Sequence, residues 1–128
     1  MTPEKIAAMA EEIYSWLYER GLWNSVRIYF NGMAYGDNPP DPDSGIRWEE
    51  LSSGKYLLHD VDPHNYFDYA GGFLSMSFEG AFYEVMNCWT RWETELYDAF
   101  ADLLETHYSC YFELGNSWNL SVFPCCGW

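Results

Sequence analysis

The pair Asn31-Gly32 separates two runs of alternating residues, and this pattern constrains the fold more than any other part of the sequence. The first run spans residues 25–30 and the second spans residues 33–35, and both have the period of two expected of β-strands. Asn-Gly between two such runs is a strong signal for a two-residue hairpin, because the turn requires positive φ at both positions. The chain is therefore predicted to contain an antiparallel pair of strands here.

Two more hairpins are predicted in the middle of the chain. Residues 46–51 and 55–59 flank a Ser-Ser-Gly turn, and residues 73–79 and 81–86 flank Gly80. The second of these pairs shows a clean alternation of apolar and polar residues, which is typical of half-buried strands.

A last pair of strands is predicted near the C-terminus, at residues 108–114 and 119–123, with a turn region at Gly115-Asn116. Residues 36–45 contain three prolines and three aspartates, so they are expected to form a stiff, exposed acidic loop and not a central strand. Residues 60–72 are polar and turn-rich.

One helix is predicted before the first hairpin, and a second is predicted before the last pair of strands. Thr2 can cap the first, Pro3 suits its first position, and Gly21 suits its end. The second is predicted over residues 90–107, where Thr90 and Glu93 have the spacing of a capping box. The expected apolar faces are Ile6, Met9, Ile13, Trp16 and Leu17 in the first helix, and Trp89, Trp92, Leu96, Phe100, Leu103 and His107 in the second.

This order of elements favours one fold class. A helix, several hairpins, a helix and a final hairpin lack the strand-helix-strand alternation that a parallel sheet requires. We expect a single α+β domain over residues 1–128, with an antiparallel sheet of about five to seven strands. The N-terminal helix and the second helix, near residues 90–107, are expected to pack on one face of that sheet.

The charge of the chain limits its partners. Twenty acidic residues against six basic ones give a formal net charge of −14, and Arg91 is the only Lys or Arg after Leu57. Such a field attracts basic molecules and repels nucleic acids and anionic bilayers. We therefore expect a basic protein partner, no direct nucleic-acid binding and no membrane association.

The composition indicates a folded protein. Disordered acidic tails have few aromatic residues, whereas a fifth of this chain is Phe, Tyr or Trp. No apolar run approaches the roughly 20 residues of a membrane span, and no apolar signal segment follows Met1. We expect a cytoplasmic location.

The four cysteines do not predict a disulfide framework or a metal site. They are unevenly spaced and lack the C-x-x-C pattern of zinc sites, and without an export signal they should be reduced. We expect no metal and no cofactor. Cys88 and Cys110 are expected to be buried thiols, and the sequence assigns no role to Cys125 and Cys126.

The second predicted helix carries the strongest functional signal. Glu95, Asp98, Asp102 and Glu105 follow one another at three- and four-residue spacing and so form an acidic stripe on one face. Like charges at this spacing destabilise an isolated helix, and Arg91 is the only Lys or Arg three or four residues from any of them. A solvated helix face would explain the stripe as well as a binding surface would.

Further acids could extend this surface. A net charge with a magnitude of about 2 to 8 is sufficient to keep a small domain soluble, so the larger negative charge here suggests a partner. The other candidate partner-binding residues are Asp37, Asp41, Asp43, Glu49, Glu50, Asp60 and Asp62.

Catalytic motifs are absent from the sequence, and we expect that the protein is not an enzyme. It has no nucleophile elbow, no phosphate-binding glycine motif and no His-Glu-x-x-His. Two weaker arrangements remain, and an exposed surface explains each equally well. Glu79 and Glu84 on facing strands could act as acid and base, and His59, Asp60, Asp62 and His64 could form a metal or acid-base cluster.

In size, charge and predicted fold the chain resembles the acidic inhibitors carried by phages and mobile elements, which block restriction or CRISPR nucleases by imitating nucleic acid. The resemblance is one of general properties and transfers no residue. It implies a non-catalytic inhibitor or adaptor that binds the basic nucleic-acid groove of a bacterial protein. The alternative is a small cytoplasmic module that binds a protein or peptide and whose acidity has no function.

Overall fold

The computed structural model describes residues 1–125, in which three helices pack on one face of a seven-stranded antiparallel sheet. The predicted α+β class is confirmed. The helices are α1 (Pro3–Glu19), α2 (Ala81–Met86) and α3 (Arg91–Tyr108). The strands are β1 (Val26–Phe30), β2 (Met33–Gly36), β3 (Trp48–Ser52), β4 (Lys55–His59), β5 (Leu74–Phe78), β6 (Cys110–Asn116) and β7 (Asn119–Pro124). Two short 3-10 turns lie at Pro42–Ser44 and Pro63–Asn65.

The order of strands across the sheet is β3-β4-β2-β1-β5-β7-β6. Three of the neighbouring pairs are hairpins, β1 with β2, β3 with β4, and β6 with β7. The pairing of β2 with β4, and of β5 with both β1 and β7, joins these hairpins into one sheet. Strand β1 is consequently the central strand, and β3 and β6 are the two edges.

The first hairpin and the first helix agree with the sequence predictions. Asn31 and Gly32 have φ values of 51° and 77°, which are the positive angles that the turn requires. The Thr2 hydroxyl accepts a hydrogen bond from the Lys5 amide at 3.2 Å and so caps α1. The buried face of α1 consists of Met9, Ala10, Ile13, Trp16 and Leu17.

The predicted strand over residues 81–86 is wrong, because this segment is helix α2. The side-chain oxygen of Asn24 accepts a hydrogen bond from the Ala81 amide at 2.8 Å and thereby satisfies one free N–H at the start of the helix. Phe82, Val85 and Met86 then enter the core at helical spacing. Glu84 is therefore on a helix, and the pairing of Glu79 and Glu84 on facing strands is wrong as well.

Helix α3 begins and ends close to the predicted positions, but its buried face differs. Its fully buried residues are Phe100 and Leu104, whereas Trp89 and Trp92 are exposed. Thr90 is the N-cap residue, yet its hydroxyl bonds the Glu93 carboxylate and not a backbone amide, so the predicted capping box is not formed.

The cysteine and turn predictions are confirmed only in part. Cys110 is buried as expected, but Cys88 is exposed and has a positive φ of 51° between α2 and α3. The turn between β6 and β7 lies two residues later than predicted, at residues 117–118. The amide of Cys125 donates to the Ser109 carbonyl at 2.8 Å, and Cys126 lies outside the described residues.

A loop and not a helix covers part of the other face of the sheet. Val61 and Phe67, from residues 60–72, pack there against Tyr29, Ala34 and Leu58. Gly72 lets this loop approach the sheet, because a Cβ at this position would lie 2.0 Å from the Val122 carbonyl oxygen. The two faces of the sheet therefore differ, with a thick helical layer on one and a partly open surface on the other.

Candidate protein interface

The predicted acidic stripe of Glu95, Asp98, Asp102 and Glu105 lies on α3, and we call it the α3 stripe. Its four carboxylates are all exposed. The helix buries Phe100 and Leu104 against α1, α2 and β6, and at 100° per residue the stripe lies on the opposite side of the helix. From Glu95 to Glu105 the helix rises about 15 Å, so the stripe presents four negative charges along that length.

Few cations of the protein neutralise this stripe. The Arg91 Nε atom lies 3.5 Å from a carboxylate oxygen of Glu95, and both side chains are largely exposed. Asp98, Asp102 and Glu105 make no ion pair and no side-chain hydrogen bond with any residue from 1 to 125. Their charge is therefore available to a partner.

Two tryptophans lie beside the stripe. Trp89 is 61% exposed and Trp92 is 56% exposed, and Trp92 is three residues before Glu95 on the same helix. Trp89 packs its ring edge-on against Tyr83 of α2 at 6.2 Å, which limits its motion. Exposed tryptophans dominate the energetics of many protein interfaces, because they bury a large area at small cost in side-chain entropy.

The C-terminal end of α3 is held in place by α1. One carboxylate oxygen of Glu12 accepts a hydrogen bond from the Tyr108 hydroxyl at 2.6 Å, and the other contacts the Nδ1 atom of His107. Burial and the hydrogen bond to Glu12 both raise the pKa of Tyr108. These contacts fix the position of the stripe relative to the rest of the molecule.

Most of the remaining predicted acids lie toward the other edge of the sheet, whereas Asp37 bonds the Ser25 amide just before the central strand β1. Phe112 of β6 packs against Tyr97 and Phe100 of α3, so the α3 stripe belongs to the β6 edge. Glu49 and Glu50 are on β3, which is six strand spacings away, or roughly 29 Å along the sheet. The single acidic surface expected from the sequence is therefore two separate acidic surfaces.

Several of these remaining acids have local structural roles. Asp37 accepts a hydrogen bond from the Ser25 amide at 2.7 Å, and Asp41 accepts one from the Asp43 amide at 2.9 Å. Asp60 lies 3.7 Å from Arg47. These carboxylates stabilise turns or balance a cation, so the second surface is a weaker candidate for recognition than the α3 stripe.

The two histidines near residue 60 do not converge. His59 lies 3.3 Å from the Glu49 carboxylate, whereas His64 lies 2.8 Å from that of Asp62. The backbone hydrogen bond from His64, followed by its side chain, lowers the pKa of Asp62, and the Asp62 carboxylate raises the pKa of His64. Within residues 1–125, no three His, Cys, Asp or Glu side chains are grouped in a way that could hold a metal ion.

The sequence prediction missed the exposure of Trp89 and Trp92. The predicted apolar face joins residues at three- and four-residue spacing from Trp89 to His107. On a helix, however, Trp92 is rotated about 80° from Phe100. Trp89 precedes the first residue of α3. A helical projection centred on Phe100 and Leu104 would have placed Trp92 at the boundary of the core.

Comparisons with protein-family models, with curated proteins and with solved structures found no match to this chain. Among residues 1–125, no helix has the length and apolar character needed to cross a membrane.

Proposed function

We propose that this protein is a non-catalytic, cytoplasmic inhibitor or adaptor whose α3 stripe occupies the basic nucleic-acid groove of a bacterial nuclease or another nucleic-acid-handling protein. The observation that supports the proposal is the α3 stripe itself. It presents four exposed carboxylates, three of which have no cation partner in residues 1–125, beside two exposed tryptophans.

The geometry of the stripe suits a groove that binds a phosphate backbone. Successive carboxylates are one helical turn apart, about 5.4 Å, which is of the same order as the spacing of phosphates along one nucleic-acid strand. Arginines that bind phosphates also bind carboxylates, because both groups present paired acceptor oxygens to the guanidinium group. The α3 stripe thus offers a nuclease groove the charges that its substrate offers.

Trp89 and Trp92 add an apolar component to this interface. A groove that binds nucleic acid contains aromatic side chains and arginine planes, on which bases stack. The two indole rings can occupy such places and make cation–π contacts with arginine. Charge would then control the rate and specificity of docking, and the tryptophans would supply much of the affinity.

The proposal is tested by affinity capture from a bacterial lysate and by a charge-reversed variant. The immobilised protein is loaded at low salt, and bound proteins are eluted as the salt concentration rises. A captured protein is then assayed for binding to a labelled DNA duplex, with the present protein as competitor. We expect competition that weakens steeply with salt, because exposed charges are screened.

The variant carries Glu95→Lys, Asp98→Lys, Asp102→Lys and Glu105→Lys. We expect it to fold, since exposed substitutions change stability by about 0.5 kcal/mol or less each. We expect competition to weaken by more than about 100-fold, because like charges placed across an interface cost several kcal/mol.

The control reverses the same number of charges elsewhere, at Glu4, Glu19, Asp68 and Glu79, which are all exposed. Glu11 and Glu12 are unsuitable controls, because they bond Lys55 and the pair His107 and Tyr108. Equal loss of competition in both variants would show that net charge, and not the α3 stripe, drives binding.

A further inference from the structure

A polar row crosses the open face of the sheet, opposite the helices, near one end of the strands. In the strand register Arg27 of β1 lies between Gly36 of β2 and Ser77 of β5, and the row continues to both edges of the sheet. Arg27 is therefore on the central strand, near the end of that strand. Across the sheet the row reads Glu50, Tyr56, Gly36, Arg27, Ser77, Asn119 and Asn116.

Arg27 differs from most other cations of the protein. Four of the six basic residues make ion pairs, namely Arg20, Arg47, Lys55 and Arg91. Arg27 is half-buried and makes no ion pair with any residue from 1 to 125, although the chain has twenty acids. Its guanidinium carbon lies 5.4 Å from the centre of the Tyr66 ring. Desolvation lowers the pKa of Arg27, but contacts with the Tyr29 and Tyr66 side chains raise it more, so the guanidinium stays charged. A ligand carboxylate would supply the counter-charge that no carboxylate of residues 1–125 supplies.

A cleft of about 450 Å³ opens above this arginine. Arg27, Tyr29 and Ser77, which are on the open face, form its floor, and Tyr66 and Trp118 line it from two loops. This volume is within the range of about 300 to 1,000 Å³ that is typical of small-molecule sites. We call it the Arg27 cleft.

The Arg27 cleft also contains negative charge. Glu79 and Asp37 both line it, and neither makes an ion pair with a described residue. One oxygen of Asp37 accepts a hydrogen bond from the Ser25 amide, at 2.7 Å, which leaves the other for a ligand. A simple anion would be repelled by these two carboxylates, and a simple cation would be repelled by Arg27.

We propose that the Arg27 cleft binds a small zwitterion, an α-amino acid with an aromatic or large apolar side chain. Arg27 binds the carboxylate of the ligand through its paired N–H donors. Glu79 and Asp37 attract the ammonium group, and the rings of Tyr66 and Trp118 pack against the side chain. This site is separate from the α3 stripe and does not depend on it.

The test is calorimetric titration of the full chain with L-phenylalanine, L-tyrosine, L-tryptophan and L-leucine. Two analogues of phenylalanine separate the charges: 3-phenylpropionate lacks the ammonium group, and phenethylamine lacks the carboxylate. We expect L-phenylalanine to bind and each analogue to bind roughly 10- to 100-fold more weakly, as expected for the loss of one charge-assisted contact.

Single substitutions test which residue contacts the carboxylate of the ligand and which contacts its ammonium group. Arg27→Gln should weaken the binding of L-phenylalanine roughly 10- to 100-fold, and phenethylamine should bind as before or more tightly. Glu79→Gln should weaken the binding of L-phenylalanine and strengthen the binding of 3-phenylpropionate. Arg47→Gln is the matched control, since Arg47 does not line the cleft, and should bind as the unmodified chain does. Thermal melting confirms that each variant is folded.

Three results would overturn the proposal. Binding of 3-phenylpropionate as tight as that of L-phenylalanine would identify an anion site, and equal binding of phenethylamine would identify a cation site. No heat from any of the four amino acids at millimolar concentration, with the chain folded, would show that the Arg27 cleft is not an amino-acid site.

Discussion

At the scale of single residues, Lys55 shows how this acidic molecule uses a buried cation. Lys55 is 7% exposed, and its ammonium group lies 4.1 Å and 4.5 Å from the ring centres of Tyr14 and Tyr35. Both carboxylate oxygens of Glu11 accept hydrogen bonds from it, at 2.7 and 2.8 Å. Burial, followed by the nearby Glu11 carboxylate, raises the pKa of Tyr35 to about 12.

We expect Glu11→Gln to destabilise the protein more than Lys55→Met does. The first change leaves a buried ammonium group without its carboxylate and should cost about 2 kcal/mol, less than for a fully buried pair because Glu11 is half-exposed. The second removes the buried charge and keeps the apolar stem between the rings, so about 1 kcal/mol or less is expected. Urea unfolding of both variants gives the comparison, and a larger loss in Lys55→Met would contradict it.

The His64–Asp62 pair predicts a local pH dependence. Because the pKa of folded His64 is raised above its usual 6.5, its contribution to stability is complete below that value. The contribution is lost as the pH rises through the folded pKa. Because the pKa of Asp62 is lowered, the contribution of Asp62 is lost only as the pH falls through its folded pKa, in the acid range.

An NMR titration of the His64 ring tests this directly. We expect its midpoint above 6.5 in the unmodified chain, and a lower midpoint in Asp62→Asn, which keeps the side-chain oxygen but removes the charge. His107 serves as the internal reference, since it contacts Glu12 and not Asp62. An unchanged midpoint for His64 in the variant would mean that the carboxylate does not control its protonation.

At the scale of elements, α2 depends on a residue far from it in sequence. The Asn24 side chain accepts from the Ala81 amide at 2.8 Å, and a Cβ on Gly80 would lie 2.0 Å from that same Asn24 oxygen. The close approach of Gly80 thus allows Asn24 to reach the start of the helix.

We expect Asn24→Ala to cost about 1 kcal/mol of unfolding free energy, the usual effect of removing a helix cap. Asn24→Asp keeps the accepting oxygen and should cost less. The control is Asn65→Ala, an exposed position with no side-chain hydrogen bond to a described residue. Urea unfolding followed by circular dichroism measures all three, and equal stability of Asn24→Ala and the control would exclude the capping role.

The elements that the sequence predicted well are those specified by local residues. Asn31 and Gly32 determine their hairpin, and Thr2 and Pro3 determine the start of α1. Helix α2 was mistaken for a strand because residues 81–86 alternate, and its cap comes from Asn24, which no local pattern reveals.

The candidate site was predicted in the same uneven way. The positions of the α3 stripe follow from helical spacing, so its exposure could be predicted. The distance between the α3 stripe and the acids of β3 could not be predicted, because this distance depends on the order of strands in the sheet. The Arg27 cleft is created by loops that meet over the central strand, and no sequence motif marks it.

At the scale of the whole molecule, the net charge of −14 should make stability depend on salt. Repulsion among the acids destabilises the compact state, and salt screens it over a Debye length of about 10 Å at 0.1 M. We expect the melting temperature to rise between low and moderate sodium chloride concentrations. The fourfold lysine variant of the α3 stripe, in which four reversals change the net charge from −14 to −6, should show a smaller rise. A falling melting temperature in the unmodified chain would mean that ion pairs outweigh the repulsion.

The sheet order also has a consequence for the newly made chain. Strand β5 is paired on both sides in the finished sheet, with β1 and with β7, but β7 is synthesised about forty residues after β5. At ~5 to 20 residues per second, that interval lasts roughly 2 to 8 s. During it Leu74, Met76 and Phe78 belong to an open edge that other strands can join. Until β7 is synthesised, the unpaired edge of β5 is therefore the part of the sheet that a chaperone would need to cover.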